Sequence, residues 1–394
     1  MKQRDLECHD KAIYPAPARK GNFKRVVCYG LFGTAMALFP LRAWADSDDP
    51  RRFIPRILVS STIPANGDLN PYGVAFVPPG FPAGGPLKPG DVLVSNFNNS
   101  NNLQGTGTTI INLTPSSGAA AADGTASVFF QGTPPLGLTT ALGVLKRGFV
   151  LVGSVTTTDG TSATVAAGPL LFIDQNGKLL GQVDAAKLDG PWDLALKDDF
   201  DHAKVFVSNV LNGTVSRIDL SLPDSKTVTV GPITQIASGY MHRTDPAALV
   251  LGPTGLFYDG AADVLYVAST ADNAIFKIPH ASTTGPSSGT GKLVFTDPHL
   301  RGPLALALAP NGHLLTSNGD AINPDPAQPS EIVEFTKTGQ FVGEYNVHQN
   351  QGGAFGVATS TSEEGPRHPS DDIDLLAVVN DNASDVAVTK FVLP

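Results

Sequence analysis

Two apolar phrases recur along the chain about every fifty residues. The first is a small or proline residue, a bulky residue, a small residue and then an apolar run. It appears as Pro71-Tyr72-Gly73-Val74, Ala141-Leu142-Gly143-Val144, Pro191-Trp192-Asp193-Leu194, Pro253-Thr254-Gly255-Leu256, Pro303-Leu304-Ala305-Leu306 and Ala354-Phe355-Gly356-Val357. The third positions are spaced by 70, 50, 62, 50 and 51 residues. The second phrase is an apolar strand ending in Ser or Asn, as in Val92–Asn96, Leu151–Ser154, Val205–Asn209, Leu265–Ser269, Leu314–Asn318 and Ala377–Asn380. These second strands are apolar at successive positions rather than alternating, which fits sheets covered on both faces.

A third strand is predicted after each, at Thr108–Leu113, Pro169–Asp174, Thr214–Asp219, Ala274–Ile278, Glu331–Phe335 and Val386–Phe391. A fourth follows the first five, at Ser127–Gln131, Leu179–Asp184, Pro232–Ser238, Lys292–Thr296 and Phe341–Tyr345. Turn signals such as Gln175-Asn176-Gly177 and Pro310-Asn311-Gly312 separate them. A repeat near fifty residues built of four strands is the period of a propeller blade. The chain is therefore expected to be all-β, a six-bladed β-propeller. The blades fall near 71–131, 141–185, 191–238, 253–296, 303–345 and 354–394. The sixth lacks a fourth strand, and one alternating β-branched segment, Arg56–Ile63, is unassigned. Placed as the outer strand of blade six, residues 56–63 would close the ring and remove an open edge.

Upstream, Lys20, Lys24 and Arg25 precede an apolar run from Val26 to Leu41 that contains Gly30, Gly33 and Pro40. A run of that length is short for a membrane span, which takes roughly 20 residues. It ends in Ala43-Trp44-Ala45, a small-x-small cleavage pattern, so residues 1–45 read as a secretory signal peptide and 46–394 as one propeller domain. The expected location is periplasmic or extracellular, with no membrane span once the signal is removed. An uncleaved N-terminal anchor is the alternative.

Removing 1–45 leaves 19 basic and 33 acidic residues, a net charge of −14. Such a surface repels nucleic acid and anionic membranes, so neither is expected as a partner. Cys8 and Cys28 go with the signal, so burial and strand pairing must hold the domain without disulfides.

The stretch Val205-Phe206-Val207-Ser208-Asn209-Val210-Leu211-Asn212-Gly213-Thr214 resembles the NHL and YVTN types of β-propeller repeat. With six blades, the chain is distantly similar to the gluconolactonase-like propellers. That resemblance implies the fold. It leaves function open, because such repeats serve as binding platforms, scaffolds, lactonases and lyases. The gluconolactonase-like site holds a metal on an inward Glu with Asn and Asp ligands. At the bulky positions this chain has Tyr72, Leu142, Trp192, Thr254, Leu304 and Phe355, with Thr254 where a ligating Asn is implied. Its five Glu after the signal, Glu331, Glu334, Glu344, Glu363 and Glu364, fall on outer strands or in a loop. The chain departs from the lactonase pattern where that chemistry resides.

Ligand-binding candidates are Tyr72, Trp192 and Phe355 at the channel, with packing as the competing role, and three loops that topology puts on one face. Those loops carry His242 with Arg243 and Asp245, His299 with Asp297 and Arg301, and His348. Three imidazoles and two guanidinium groups would suit an anionic or metal-bound small molecule. The alternative is that they are separate surface residues around the ring. Asn318, Asp320 and Asp325 are weaker candidates for calcium, without the spacing of the twelve-residue calcium loop. No organic cofactor is expected, and a divalent metal stays open. The favoured function is a non-catalytic module binding a small molecule or a protein on its loop face. The alternative is a lactonase-like hydrolase or lyase using the His/Arg face. Neither the ligand nor the oligomeric state can be read from the chain.

Overall fold

The computed structural model describes residues 56–319, 331–347, 353–360 and 375–391. Twenty-four of its strands form six four-stranded antiparallel sheets. The chain is a six-bladed β-propeller. Blade one runs outward from Leu69–Phe76 through Val92–Asn98 and Thr109–Leu113 to Ser127–Gln131. Blade two comprises Leu138–Leu145, Phe149–Thr156, Ala166–Asp174 and Leu179–Val183. Blade three is Pro191–Asp198, His202–Asn209, Thr214–Ser221 and Thr229–Ser238. Blade four is Pro253–Asp259, Val264–Ser269, Ala274–Pro279 and Lys292–Phe295. Blade five is Pro303–Leu308, Leu314–Asn318, Glu331–Phe335 and Phe341–Asn346. Blade six is Ala354–Thr359, Leu375–Asn380, Asp385–Lys390 and, outermost, Leu58–Ser61.

That last pairing joins distant parts of the sequence, with Leu58 opposite Val388 and Ser61 opposite Asp385. The six inner strands touch in order round the ring, blade six returning to blade one. Each second strand is buried along nearly its whole length, as its unbroken apolar run requires.

Two of the strands that extend past the limits expected from sequence run through a proline. The third strand of blade two begins at Ala166, not Pro169, and its pairing shifts register between Gly153 and Val155. The outer strand of blade three begins at Thr229, not Pro232, with a shift between Ile218 and Leu220. A proline lacks the N–H a ladder needs, so it is tolerated at a bulge or an outer edge. Pro232 has both.

The segment 239–252, expected to be plain loop, contains a small hairpin of its own. Arg243–Asp245 pairs with Leu249–Leu251 and with no blade. Among the described residues no helix is long and apolar enough to cross a membrane.

Candidate functional site at the channel mouth

All six inner strands break register within the first phrase. The shifts lie between Pro71 and Val74, Leu138 and Leu142, Pro191 and Asp193, Pro253 and Leu256, Pro303 and Leu306, and Ala354 and Val357. A bulge re-aims side chains and leaves backbone groups without ladder partners. In blades one, three and five the serine ending the second phrase supplies the missing partner. Ser95 Oγ accepts from Gly73 N at 2.9 Å and donates to Thr139 O of blade two at 2.8 Å. Ser208 Oγ accepts from Asp193 N at 3.0 Å and donates to Thr254 O of blade four at 2.7 Å. Ser317 Oγ accepts from Ala305 N at 3.3 Å and donates to Phe355 O of blade six at 2.5 Å. The two sequence phrases are thus one device that fixes the bulge and ties it to the next blade.

Glycine at the third position lets the blades approach. A Cβ on Gly356 would lie 2.1 Å from Tyr72 O, and one on Gly255 would lie 2.5 Å from Leu304 O. Blade three departs from this rule with Asp193, which points its carboxylate across the gap. Oδ2 accepts from Leu256 N of blade four at 2.9 Å, and Oδ1 accepts from Leu194 N at 2.8 Å. Burial pushes this carboxyl well above the usual carboxylate range, against the opposite pull of those two N–H donors. Its protonated form is therefore favoured over a wider pH range than that of an ordinary aspartate. Asp193 also lines a cavity of about 70 Å³ in the channel, room for about two waters. The other walls are aliphatic or small, among them Val74, Leu142, Leu256 and Leu306, with Thr140 the one hydroxyl.

Toward the loop face, the second-position residues Tyr72, Trp192, Thr254, Leu304 and Phe355 are all buried, whereas Leu142, also buried, sits deeper among the cavity walls. Tyr72 is stacked between Phe355, centroids 3.9 Å apart, and Phe97 at 4.2 Å. Trp192 meets the edge of Phe97 at 5.7 Å and lies 5.8 Å from Tyr72. The indole Nε1 of Trp192 is buried with no acceptor. The structure thus brings Tyr72, Trp192 and Phe355 into one aromatic cap.

The hairpin shares a buried cluster with that cap. Leu249 and Val250 belong to the same buried cluster as Tyr72, Phe97, Trp192, Leu304 and Phe355. Leu249 has φ +63°, a left-handed conformation that costs a branched residue roughly 1–2 kcal/mol. Asp245 Oδ1 holds the turn by accepting from Ala247 N at 2.9 Å and Ala248 N at 3.1 Å.

Among the described residues, His242, Arg243, His299 and Arg301 each have neighbours of their own. His242 Nδ1 faces Tyr240 O at 3.0 Å beside the Gly213 turn of blade three. Arg243 forms an exposed ion pair with Asp245 at 3.4 Å. His299 stacks on Phe341 of blade five with centroids 3.9 Å apart, and its Nδ1 lies 2.5 Å from Asp297 Oδ1. Asp297 therefore partners His299. Arg301 places Nε 3.4 Å from Pro298 O. His348, Asp320 and Asp325 lie outside the described residues.

Asn318 spends its amide on tethering a loop, accepting from Arg301 N at 3.0 Å and donating to His299 O at 2.8 Å. Among the described residues no three His, Cys, Asp or Glu side chains come together. At the second and third positions the chain offers one carboxylate, Asp193, and two hydroxyls, those of Tyr72 and Thr254. That donor set does not fit a hard divalent cation, which takes six or more oxygens.

Asp193, Phe97 and the hairpin were the features missed by reasoning from sequence. Asp193 carried a signal, as the one charged residue among six third positions.

No protein-family model matches this chain, and no curated protein matches it. Solved structures do. A gluconolactonase from Xanthomonas campestris is 13% identical, over 86% of this chain and 93% of that one, with a TM-score of 0.50. A calcium-binding regucalcin from Agrobacterium tumefaciens is 12% identical, with the same two coverages and a TM-score of 0.49. A catalytically inactive virginiamycin B lyase from Staphylococcus aureus, solved with Quinupristin, is 13% identical over 85% of this chain and 99% of that one, with a TM-score of 0.43. At 13% identity the likeness to the gluconolactonase shows a shared fold alone.

Proposed function

We propose that this chain is an exported β-propeller that binds a small molecule at the loop-face mouth of its channel. The observation that carries the reading is the aromatic cap of Tyr72, Phe97, Trp192 and Phe355, set beside a channel cavity with one titratable group, Asp193. Concave, mostly apolar sites with a few convergent polar groups are where small ligands bind. Export rests on residues 1–45, with their basic lead, apolar run and Ala43-Trp44-Ala45. The test is ligand-detected NMR of residues 46–394 against a small-molecule library, with binders mapped on an assigned spectrum. Binders that perturb the starts of the inner strands support the reading. Finding no binder, or binders only at the outer strands, overturns it.

A second reading, a hydrolase or lyase, is favoured by the Asp297–His299 pair. A carboxylate 2.5 Å from one imidazole nitrogen fixes the tautomer and orients the ring, as acid–base work by a histidine requires. Arg301 in the same loop would hold an anionic group. Gluconolactonase-like chemistry would add a bound metal. Stoichiometric metal in the purified protein, with activity lost in His299→Ala, supports this reading; metal-free, chelator-indifferent protein that turns over no lactone counts against it.

A further inference from the structure

Four observations at the channel mouth converge. First, the hairpin Arg243–Leu251 pairs with no blade, so the barrier to lifting it is set by its side-chain packing and not by a ladder shared with the propeller. Second, that packing consists of Leu249, Val250 and Leu251, all buried, with Leu249 and Val250 in the cluster of the aromatic cap. Third, Leu249 is held at φ +63°, where glycine or asparagine is the usual occupant. Strain of this kind persists only where the surroundings enforce it, and it marks segments with two states. Fourth, Trp192 Nε1 is buried without an acceptor although its ring is 2% exposed. An orphaned donor in a dry apolar site costs about 1–3 kcal/mol until something accepts from it.

We propose, resting on the small-molecule reading above, that the hairpin is a displaceable cover. Its Leu249 and Val250 occupy the place of a planar, apolar ligand that bears one hydrogen-bond acceptor for Trp192 Nε1. Tyr72 is covered on both faces by Phe97 and Phe355, so a flat ligand is selected by the edge of that stack and the indole of Trp192. The indole N–H selects a carbonyl or heteroaromatic nitrogen at the ligand's edge. A branched aliphatic chain, which is what Leu249 supplies, fills the space but leaves the donor unsatisfied. The ligand therefore has a hydrogen bond to gain that the cover does not. The cover lowers apparent affinity by the fraction of molecules in which it is lifted.

The sequence supplies the probe. It has two tryptophans, Trp44 and Trp192, so residues 46–394 contain one indole. Quinoline and naphthalene are planar isosteres that differ in a single acceptor. Titrating each into ¹⁵N-labelled 46–394 should shift the lone indole N–H resonance downfield with quinoline and not with naphthalene. Trp192→Phe should abolish the preference for quinoline while still binding both. Leu249→Gly relieves the backbone strain and removes the plug, so it should tighten quinoline binding roughly tenfold. Replacing 244–250 by Gly-Gly joins the paired residues Arg243 and Leu251 and should do at least as much. If that deletion fails to fold, Leu249→Gly alone carries the test. Equal affinity in wild type and Leu249→Gly overturns the cover. Quinoline binding without a shift of the indole resonance overturns the assigned donor. Library compounds that bind the mouth without touching Trp192 leave the small-molecule reading standing and sink this inference alone.

Discussion

Removing residues 46–64 tests how the sixth blade is held. The strand Leu58–Ser61 lies against Asp385–Lys390 over four residue pairs. Its inward residues Leu58 and Ser60 are buried, as are Val386 and Val388 opposite them. The flanking residues add Thr62, which donates N and Oγ1 to Ser384 O, both at 2.9 Å, and accepts from Asn96 Nδ2 on blade one at 2.9 Å. The backbone hydrogen bonds are largely replaced by water on deletion, so they contribute little net. The burial of Leu58 is offset by the chain entropy of ordering its own strand. What remains is two valines newly exposed, at roughly 1.5–3 kcal/mol each, and an Asn96 amide left short of one acceptor at about 1 kcal/mol or more. The expected cost is about 4–6 kcal/mol, a large share of the ~5–15 kcal/mol that holds a domain together. At roughly 2–4 °C per kcal/mol the truncated protein should melt at least about 10 °C lower in differential scanning calorimetry. A synthetic 46–64 peptide added in trans should restore part of that loss. A truncated protein that melts within about 2 °C of the 46–394 chain would refute the reasoning.

Three further substitutions test the blade contacts. Gly356→Ala puts a methyl 2.1 Å from Tyr72 O, a backbone atom that cannot swing away, and should cost about 1–3 kcal/mol in urea unfolding; an unchanged midpoint would mean the blades are not in close contact there. Ser208→Ala strands Asp193 N and Thr254 O together and should cost about 1–3 kcal/mol, whereas Ser208→Thr should recover part of it. Burial raises Asp385 from 3.8 to about 6, opposed by Arg56. The folded chain thus holds this proton more tightly than the unfolded one. Its stabilisation is fully present below about pH 4 and is lost as pH rises through about 6. Asp385→Asn should therefore be the more stable protein at neutral pH, by on the order of 2–3 kcal/mol, and should equal wild type near pH 4; an advantage that does not change with pH would refute the assignment.

Much of the fold was legible because one physical demand is met six times. Each inner strand bulges at the mouth, five of the six bulges carry Gly or Ala facing the next blade, and in blades one, three and five a serine takes up the freed N–H. Gly73 with Ser95 and Ala305 with Ser317 show the demand as sequence, so the period and blade limits could be read from composition alone. The hairpin could not be read this way. Its two strands are three residues each, too short for any periodicity, and Leu249 and Val250 are buried in a cluster drawn from residues far apart in sequence. A leucine at φ +63° also gives no turn signal, since glycine or asparagine is what marks that conformation. The His-bearing loops were placed on one face by topology, which fixes the blade a residue belongs to and not the partner it takes. Thus the sequence put Asp297, His299 and Arg301 in one loop, and the structure shows that Asp297 partners His299.

The departure of blade three from the repeat carries the argument one step further. At the third position five blades have Gly or Ala, and steric contact with the next blade explains each Gly. Asp193 satisfies the same junction differently, bridging to Leu256 N across the gap that a glycine would have closed. As a structural brace it is an expensive choice. Burial raises its proton affinity, so any stability it contributes in the protonated form diminishes as pH rises through its folded value. An asparagine would keep one acceptor for the same two N–H groups without that cost. What an asparagine cannot do is change charge beside the cavity. Asp193→Asn should therefore alter the pH dependence of ligand binding more than the stability at acid pH, and the two are separated by measuring affinity and unfolding in the same buffers. A variant whose affinity keeps the wild-type pH profile would reduce Asp193 to a brace between blades three and four.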